Sequence, residues 1–108
     1  MANYRNRELL DLAHYHNECM FQIPGSCIGY SMLGLEPAHS NELRHGKGTG
    51  IKSHDYMHVM ACLNCHREYD SGTRFNKQEK QRLFIEGWER TISFYFTEGL
   101  IGLTEGNE

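Results

Sequence analysis

Residues 61–70 read ACLNCHREYD, and the order of chemistry in those ten positions decides the fold. Cys62 and Cys65 have the spacing of a zinc knuckle, a tight turn that aims two thiolates at one tetrahedral ion. Ahead of them, Tyr56 to Ala61 carries Val59 and Met60 and reads as a strand running directly into Cys62. Behind them, Asn64 is a plausible N-cap for a short helix through HREYD that Ser71-Gly72 ends. On such a helix His66 and Asp70, four apart, share one face, so an imidazole and a carboxylate can point at one ion. Taken alone, this pair is equally a solvated hydrogen-bonded pair of the kind common on helices.

Working outward, Ile28 to His39 reads as an extended segment broken near Gly34, with Pro37 marking an edge strand or a strand's beginning. The run RHGKGTGIKSHD, residues 44–55, is a loop, because three glycines in five positions defeat helix and strand alike. Arg44, Lys47 and Lys52 flank those glycines, so cationic side chains and backbone amides can both approach phosphate; charged glycine loops are also ordinary solvated surface. Farther out, Cys19 and Cys27 enclose a Pro24-Gly25 turn that can bring their thiols together. Residues 5–16 predict a short amphipathic helix through Leu9, Leu10, Leu12 and Ala13. Asn76 caps a second, about 77–97, whose stripe of Leu83, Phe84, Trp88, Ile92, Tyr95 and Phe96 is expected in the core. The tail from Thr104 is expected to fray.

With 108 residues, the chain fits one domain, 1–108, with a small core that needs a staple. Hydrophobic residues at 39% and charged residues at 23% exclude a disordered chain, and no apolar run is long enough to span a bilayer. The amino terminus has no apolar leader, so the cytoplasm is the expected compartment, where four cysteines point to metal and away from disulfides. Two pairs suit four-thiolate zinc held by Cys19, Cys27, Cys62 and Cys65, a structural role because no position stays open; buried free thiols are the bland alternative. The net charge of −3 offers nucleic acid no global attraction. Only 38–58 is positive, carrying Arg44, Lys47 and Lys52 against Glu42 and Asp55, and it holds four of the seven histidines.

The order is then a strand ending in His39, a glycine loop, a second strand, CxxC, and a helix bearing His66 and Asp70. In that order the chain resembles the HNH, or ββα-metal (His-Me finger), endonuclease superfamily, and within it small nucleases of lambdoid phages and prophages. The residues that carry the likeness are Cys19, Cys27, Ala38-His39, the loop 44–55 and ACLNCHREYD. CxxCH also marks covalent haem attachment, but the upstream histidine and cysteine pair speak against haem. The resemblance implies an α+β fold, a ββα core over about 35–72 with flanking N- and C-terminal helices and a structural zinc. It implies a phage- or prophage-encoded endonuclease that hydrolyses DNA phosphodiesters. His39 would be the general base, His66 a ligand of a catalytic divalent metal, and Asp70 a second ligand. Asp55 stands near where many members carry an asparagine that fixes the loop.

The family usually has a ligand directly before the base, whereas Ala38 cannot coordinate. Either Glu36 or Asp55 supplies that oxygen, or His39 is itself a ligand. Mixed nitrogen and oxygen donors suit Mg²⁺, Mn²⁺ or a transition ion. DNA would be held through its sugar-phosphate backbone by Arg44, Lys47 and Lys52, without base reading. His14, His16, His45, His54 and His58 are left without a role, with His54 and His58 nearest the site. The competing reading is a non-catalytic zinc module binding DNA or a protein partner, which leaves His39, His66 and Asp70 without a job. Oligomeric state is not legible.

Overall fold

The computed structural model describes residues 2–103; the tail from Thr104 lies outside them. Its elements run α1 (Arg7–His14), β1 (Glu36–His39), a 3₁₀ turn (Leu43–His45), β2 (His58–Ala61), α2 (Leu63–Ser71) and α3 (Lys77–Thr97). This is a small α+β arrangement of one two-stranded sheet and three α-helices. None of its helices is long and apolar enough to cross a membrane.

The strands pair antiparallel, with Glu36 opposite Ala61, Ala38 opposite Val59 and His39 opposite His58. All four residues of β2 are buried, which explains why its sequence, HVMA, lacks the polar alternation of a half-exposed strand. The strand is hemmed in on every side. The Met20 amide donates to the Met60 carbonyl at 2.8 Å, and the Met60 amide donates to the Thr91 hydroxyl of α3 at 3.1 Å. Arg90 of α3 in turn donates to the carbonyls of Met20 and Phe21 at 2.8 and 2.9 Å. Around these bonds Phe21, Ile23, Leu35, Val59, Met60, Phe84 and Tyr95 form the core.

α3 begins where the sequence places it. The Asn76 side chain accepts the Glu79 amide while the Glu79 carboxylate accepts the Asn76 amide, a complete capping box. Its buried face differs from the expected stripe. Phe96 is 58% exposed, and Gly87 and Thr91 join Phe84 and Tyr95 on the buried side. The reason is close approach: a Cβ on Gly87 would lie 2.9 Å from Val59 Cγ1, so large side chains cannot occupy the line nearest the strand.

Three further boundaries move. α1 is shorter than 5–16 because Asn6 is its N-cap, accepting the Leu9 amide at 3.1 Å, and Arg5 serves elsewhere. α2 is capped by Cys62 rather than Asn64, since a sulfur accepts the Cys65 amide and the helix starts one residue after it. The strand ending at His39 has only four residues. Residues 28–35 turn instead, with Gly34 at φ +90° and no room for a Cβ against the His14 carbonyl.

Candidate metal centre and active site

The loop 19–27 folds under the junction of β2 and α2, so that the four cysteine sulfurs lie within 4.8 Å of one another. Cys19, Cys62 and Cys65 are buried, Cys27 is half-buried, and none is in a disulfide. Four sulfurs at about 2.3 Å from a tetrahedral ion stand about 3.8 Å apart, so this cluster fits a metal such as zinc after slight closure. Each sulfur also accepts a backbone amide. Cys62 N–H reaches Cys19 at 3.2 Å, Gly29 N–H reaches Cys27 at 3.3 Å, Cys65 N–H reaches Cys62 at 3.5 Å and Ile23 N–H reaches Cys65 at 3.4 Å. Such donors favour thiolate.

The sulfurs also compete. A hydrogen bond from Cys65 pulls the Cys19 thiol down to about 5 against the effect of burial. That same bond, with burial, pushes Cys65 up, and burial raises Cys27. Crowded thiols can ionise together only beside a cation. Among the described residues, this is the group of three or more histidine, cysteine or acidic side chains that converges closely enough for one ion.

On the other side of α2 opens a cleft of about 300 Å³, lined among others by His39, Asn41, Lys47, Lys52, His66 and Asp70. His39 ends β1, and His66 and Asp70 stand one turn apart on α2. His66 Nε2 lies 3.1 Å from Asp70 Oδ2, and its Nδ1 lies 2.7 Å from Glu36 Oε1. The Asp70 hydrogen bond, then that of Glu36, raise the imidazole's pKa despite burial. Glu36, His66 and Asp70 are therefore linked as pairs around the ring. The two carboxylate side chains, 42% and 47% exposed, sit on opposite nitrogens of the ring, and nitrogen and oxygen donors of this kind suit a hard or borderline divalent cation. Ala38 is fully buried opposite Val59, so the position before His39 faces the core.

His39 is backed by a buried carboxylate. Its Nε2 lies 2.9 Å from Asp55 Oδ1, and Asp55 is 3% exposed. Asp55 Oδ2 accepts the Asn6 amide at 2.7 Å and Oδ1 accepts Arg5 Nη1 at 3.1 Å. Burial opposes ionisation of this carboxyl, but the bonds from His39 and Asn6 and the charge of Arg5 prevail and hold its pKa below the usual value. An ionised Asp55 accepts a hydrogen bond from Nε2–H of His39, the tautomer in which Nδ1 carries the free lone pair. Both oxygens of Asp55 are engaged in these bonds, and the residue stands behind His39 and not among those that line the cleft.

Of the basic residues, Lys47 and Lys52 line the cleft. Arg44 instead pairs with Glu42 at 2.6 Å. The glycine loop is strapped down by the residues before α1. Asn3 donates to the carbonyls of Gly46 and Lys52 at 2.6 and 2.9 Å, and Arg5 donates to those of Lys52 and Ser53, both at 2.6 Å. Sequence reading misses Asn3 and Arg5, for the bonds span more than forty residues and leave no local pattern. His58 is fully buried, with Nδ1 donating to the Asp55 carbonyl at 2.6 Å and Nε2 accepting the Tyr95 hydroxyl at 2.8 Å; it belongs to the core. His54 stacks on Tyr56 and accepts the Tyr4 amide, and so braces the strap.

Proteins similar to this chain over most of its length are known. The Escherichia coli (strain K12) protein named "Putative nuclease YbcO" is 35% identical over 85 residues, which cover 78% of this chain and 86% of that protein. A protein of the same name from Enterobacteria phage 82 matches to the same extent. The solved structure of a protein described as a "putative bacteriophage protein" from Escherichia coli superposes with a TM-score of 0.61 at 27% identity, over 84% of this chain and 99% of that one. No protein-family model matches. The chain belongs to the YbcO family.

Proposed function

We propose that the chain is a metal-dependent endonuclease of the HNH, ββα-metal type, cutting DNA phosphodiester bonds as a single nuclease domain over 1–108. The observation that carries this reading is the buried Asp55 behind His39, in a cleft that also holds His66, Asp70 and two lysines. The names of the relatives agree with it, and so does the order of elements: a hairpin, a cysteine knuckle and a helix.

In this reading His39 Nδ1 accepts the proton of the attacking water, and Asp55 stabilises the imidazolium that results. His66 and Asp70 hold a divalent cation at the cleft. When bound, such a cation offsets charge building on the phosphate and on the departing 3′ oxygen. Lys47 and Lys52 hold the strand by its phosphates, so binding is electrostatic and not base-reading. Cys19, Cys27, Cys62 and Cys65 hold a structural zinc under the junction that presents His66.

The test is incubation of purified protein with supercoiled plasmid and Mg²⁺ or Mn²⁺. Wild type should nick it, and His39→Ala should lose about 10²–10⁴-fold in rate while keeping its zinc. A wild type that leaves the plasmid intact under every divalent ion, or a His39→Ala variant that cuts equally well, rejects the nuclease reading in favour of a non-catalytic zinc module.

A further inference from the structure

Glu36 opens β1 opposite Ala61, the residue before the knuckle's Cys62. Its Oε1 lies 2.7 Å from Nδ1 of His66, while Asp70 Oδ2 lies 3.1 Å from Nε2 across the ring. Both ends of the Glu36 contact stand on anchored backbone. The Leu35 amide just ahead of Glu36 donates to the Ala13 carbonyl at 3.2 Å, and the His66 amide donates to the Cys62 carbonyl at 3.0 Å in the first turn of α2. Strand and helix thus hold carboxylate and ring together although thirty positions separate them in sequence.

The two carboxylates on the ring differ in where they stand. Asp70 lines the cleft with His66 and His39, whereas Glu36 is not one of the residues of its wall. Glu36 is therefore to His66 what Asp55 is to His39, an acceptor outside the cleft. A neutral imidazole has one N–H and one lone pair, and the partner of the first decides which nitrogen keeps the second. Asp55 accepts Nε2–H of His39. Glu36, the closer of the two acceptors on His66, accepts Nδ1–H and leaves the lone pair on Nε2 beside Asp70. The two histidines of the cleft are then opposite tautomers. A lone pair and a carboxylate oxygen 3.1 Å apart repel unless a proton or a cation lies between them. Ligands about 2.1 Å from an octahedral ion stand about 3.0 Å apart at adjacent corners, a spacing that Nε2 and Oδ2 already have.

We propose that Glu36 is a positioning residue: by accepting Nδ1–H it holds His66 as the tautomer whose Nε2 serves, with Asp70, a divalent cation at the cleft. Glu36 is not itself a ligand. The inference rests on the reading of His66 and Asp70 as ligands. Removing an outer carboxylate of this kind typically weakens metal binding about 10–100-fold. Because the Glu36 side chain is 42% exposed, water competes for the same hydrogen and the lower end of that range is expected.

Two measurements on protein carrying zinc in its cysteine site test this. Nitrogen-15 NMR of the imidazoles at alkaline pH, where the rings are neutral, should show His66 protonated at Nδ1. In Glu36→Ala the same ring should change to the Nε2–H tautomer, with Asp70 as its acceptor. Calorimetric titration should find Mn²⁺ bound about tenfold more weakly by Glu36→Ala than by wild type. Glu36→Gln should recover most of that loss, since its amide oxygen accepts the same hydrogen without a carboxylate's charge. A wild-type ring protonated at Nε2, or one that stays protonated at Nδ1 in Glu36→Ala, overturns the positioning role. A Glu36→Gln variant as weak as Glu36→Ala also overturns it and makes Glu36 a ligand. Wild type that binds no Mn²⁺ rejects His66 and Asp70 as ligands, a failure that the NMR result tells apart from loss of the Glu36 bond.

Discussion

At the scale of single residues, Asp55 concentrates more of the site than any side chain that touches the cleft. Three donors from two distant segments converge on its two oxygens. Asp55→Asn would present an amide N–H to at least one of them, and an unmet buried donor costs about 1–3 kcal/mol. The variant should therefore lose both thermal stability and nicking rate; nicking at the wild-type rate would show that Asp55 does not orient the base. His58 offers a cleaner titration. Burial depresses its pKa to about 4, against about 6.5 for an unfolded histidine. On acidification the unfolded chain takes up the proton first, so the neutral ring's contribution is complete above about pH 6.5 and is lost as pH falls toward 4. Imidazole nitrogen NMR at pH 5 should show His58 still neutral and protonated at Nδ1. A ring that titrates near 6.5 would mean it is not buried as described.

At the scale of elements, α3 lies against β2 with glycine at the crossing point. Gly87→Ala gains about 1 kcal/mol of helix propensity, but its methyl would meet Val59 Cγ1 at 2.9 Å and the backbone of residues 20 and 21 at 3.3 Å. Overpacking of this kind costs typically about 1–3 kcal/mol, and backbone cannot step aside. The melting temperature should fall by several degrees, and a rise would place the helix farther from the strand. The bounds of α3 were legible because a capping box and a long period act locally, and the His66–Asp70 pair because i and i+4 meet on any helix. What escaped was held by distant partners. Cys62 rather than Asn64 starts α2 because its amide is held by the Cys19 sulfur of loop 19–27, and the chain from 28 to 35 turns because Gly34 must pass the end of α1. The link from His39 through Asp55 to Arg5 joins residues sixteen and fifty positions apart, which no periodicity encodes. Arg44 reads as a phosphate contact from its neighbours, and its pairing with the buried Glu42 two residues away is not written in that local pattern.

At the scale of the whole molecule, a sheet of two four-residue strands is a slight frame for three helices, and an ion held by the four cysteines is the expected tie. Purified protein should carry about one zinc per chain, and Cys62→Ser, which removes both a ligand and the α2 cap, should unfold it, because structural zinc contributes folding free energy directly. Metal analysis with circular dichroism checks this, and a folded, zinc-free wild type would refute it. The bonds from Arg90 and Thr91 to residues 20, 21 and 60 bear on how the molecule is born. A ribosome makes Cys19 and Cys27 first, Cys62 and Cys65 later, and the arginine that fastens the first pair's loop only near the end. Until residue 90 has emerged, the bonds that fasten this loop to α3 cannot form, so all four thiols are made before the packing that covers them is complete.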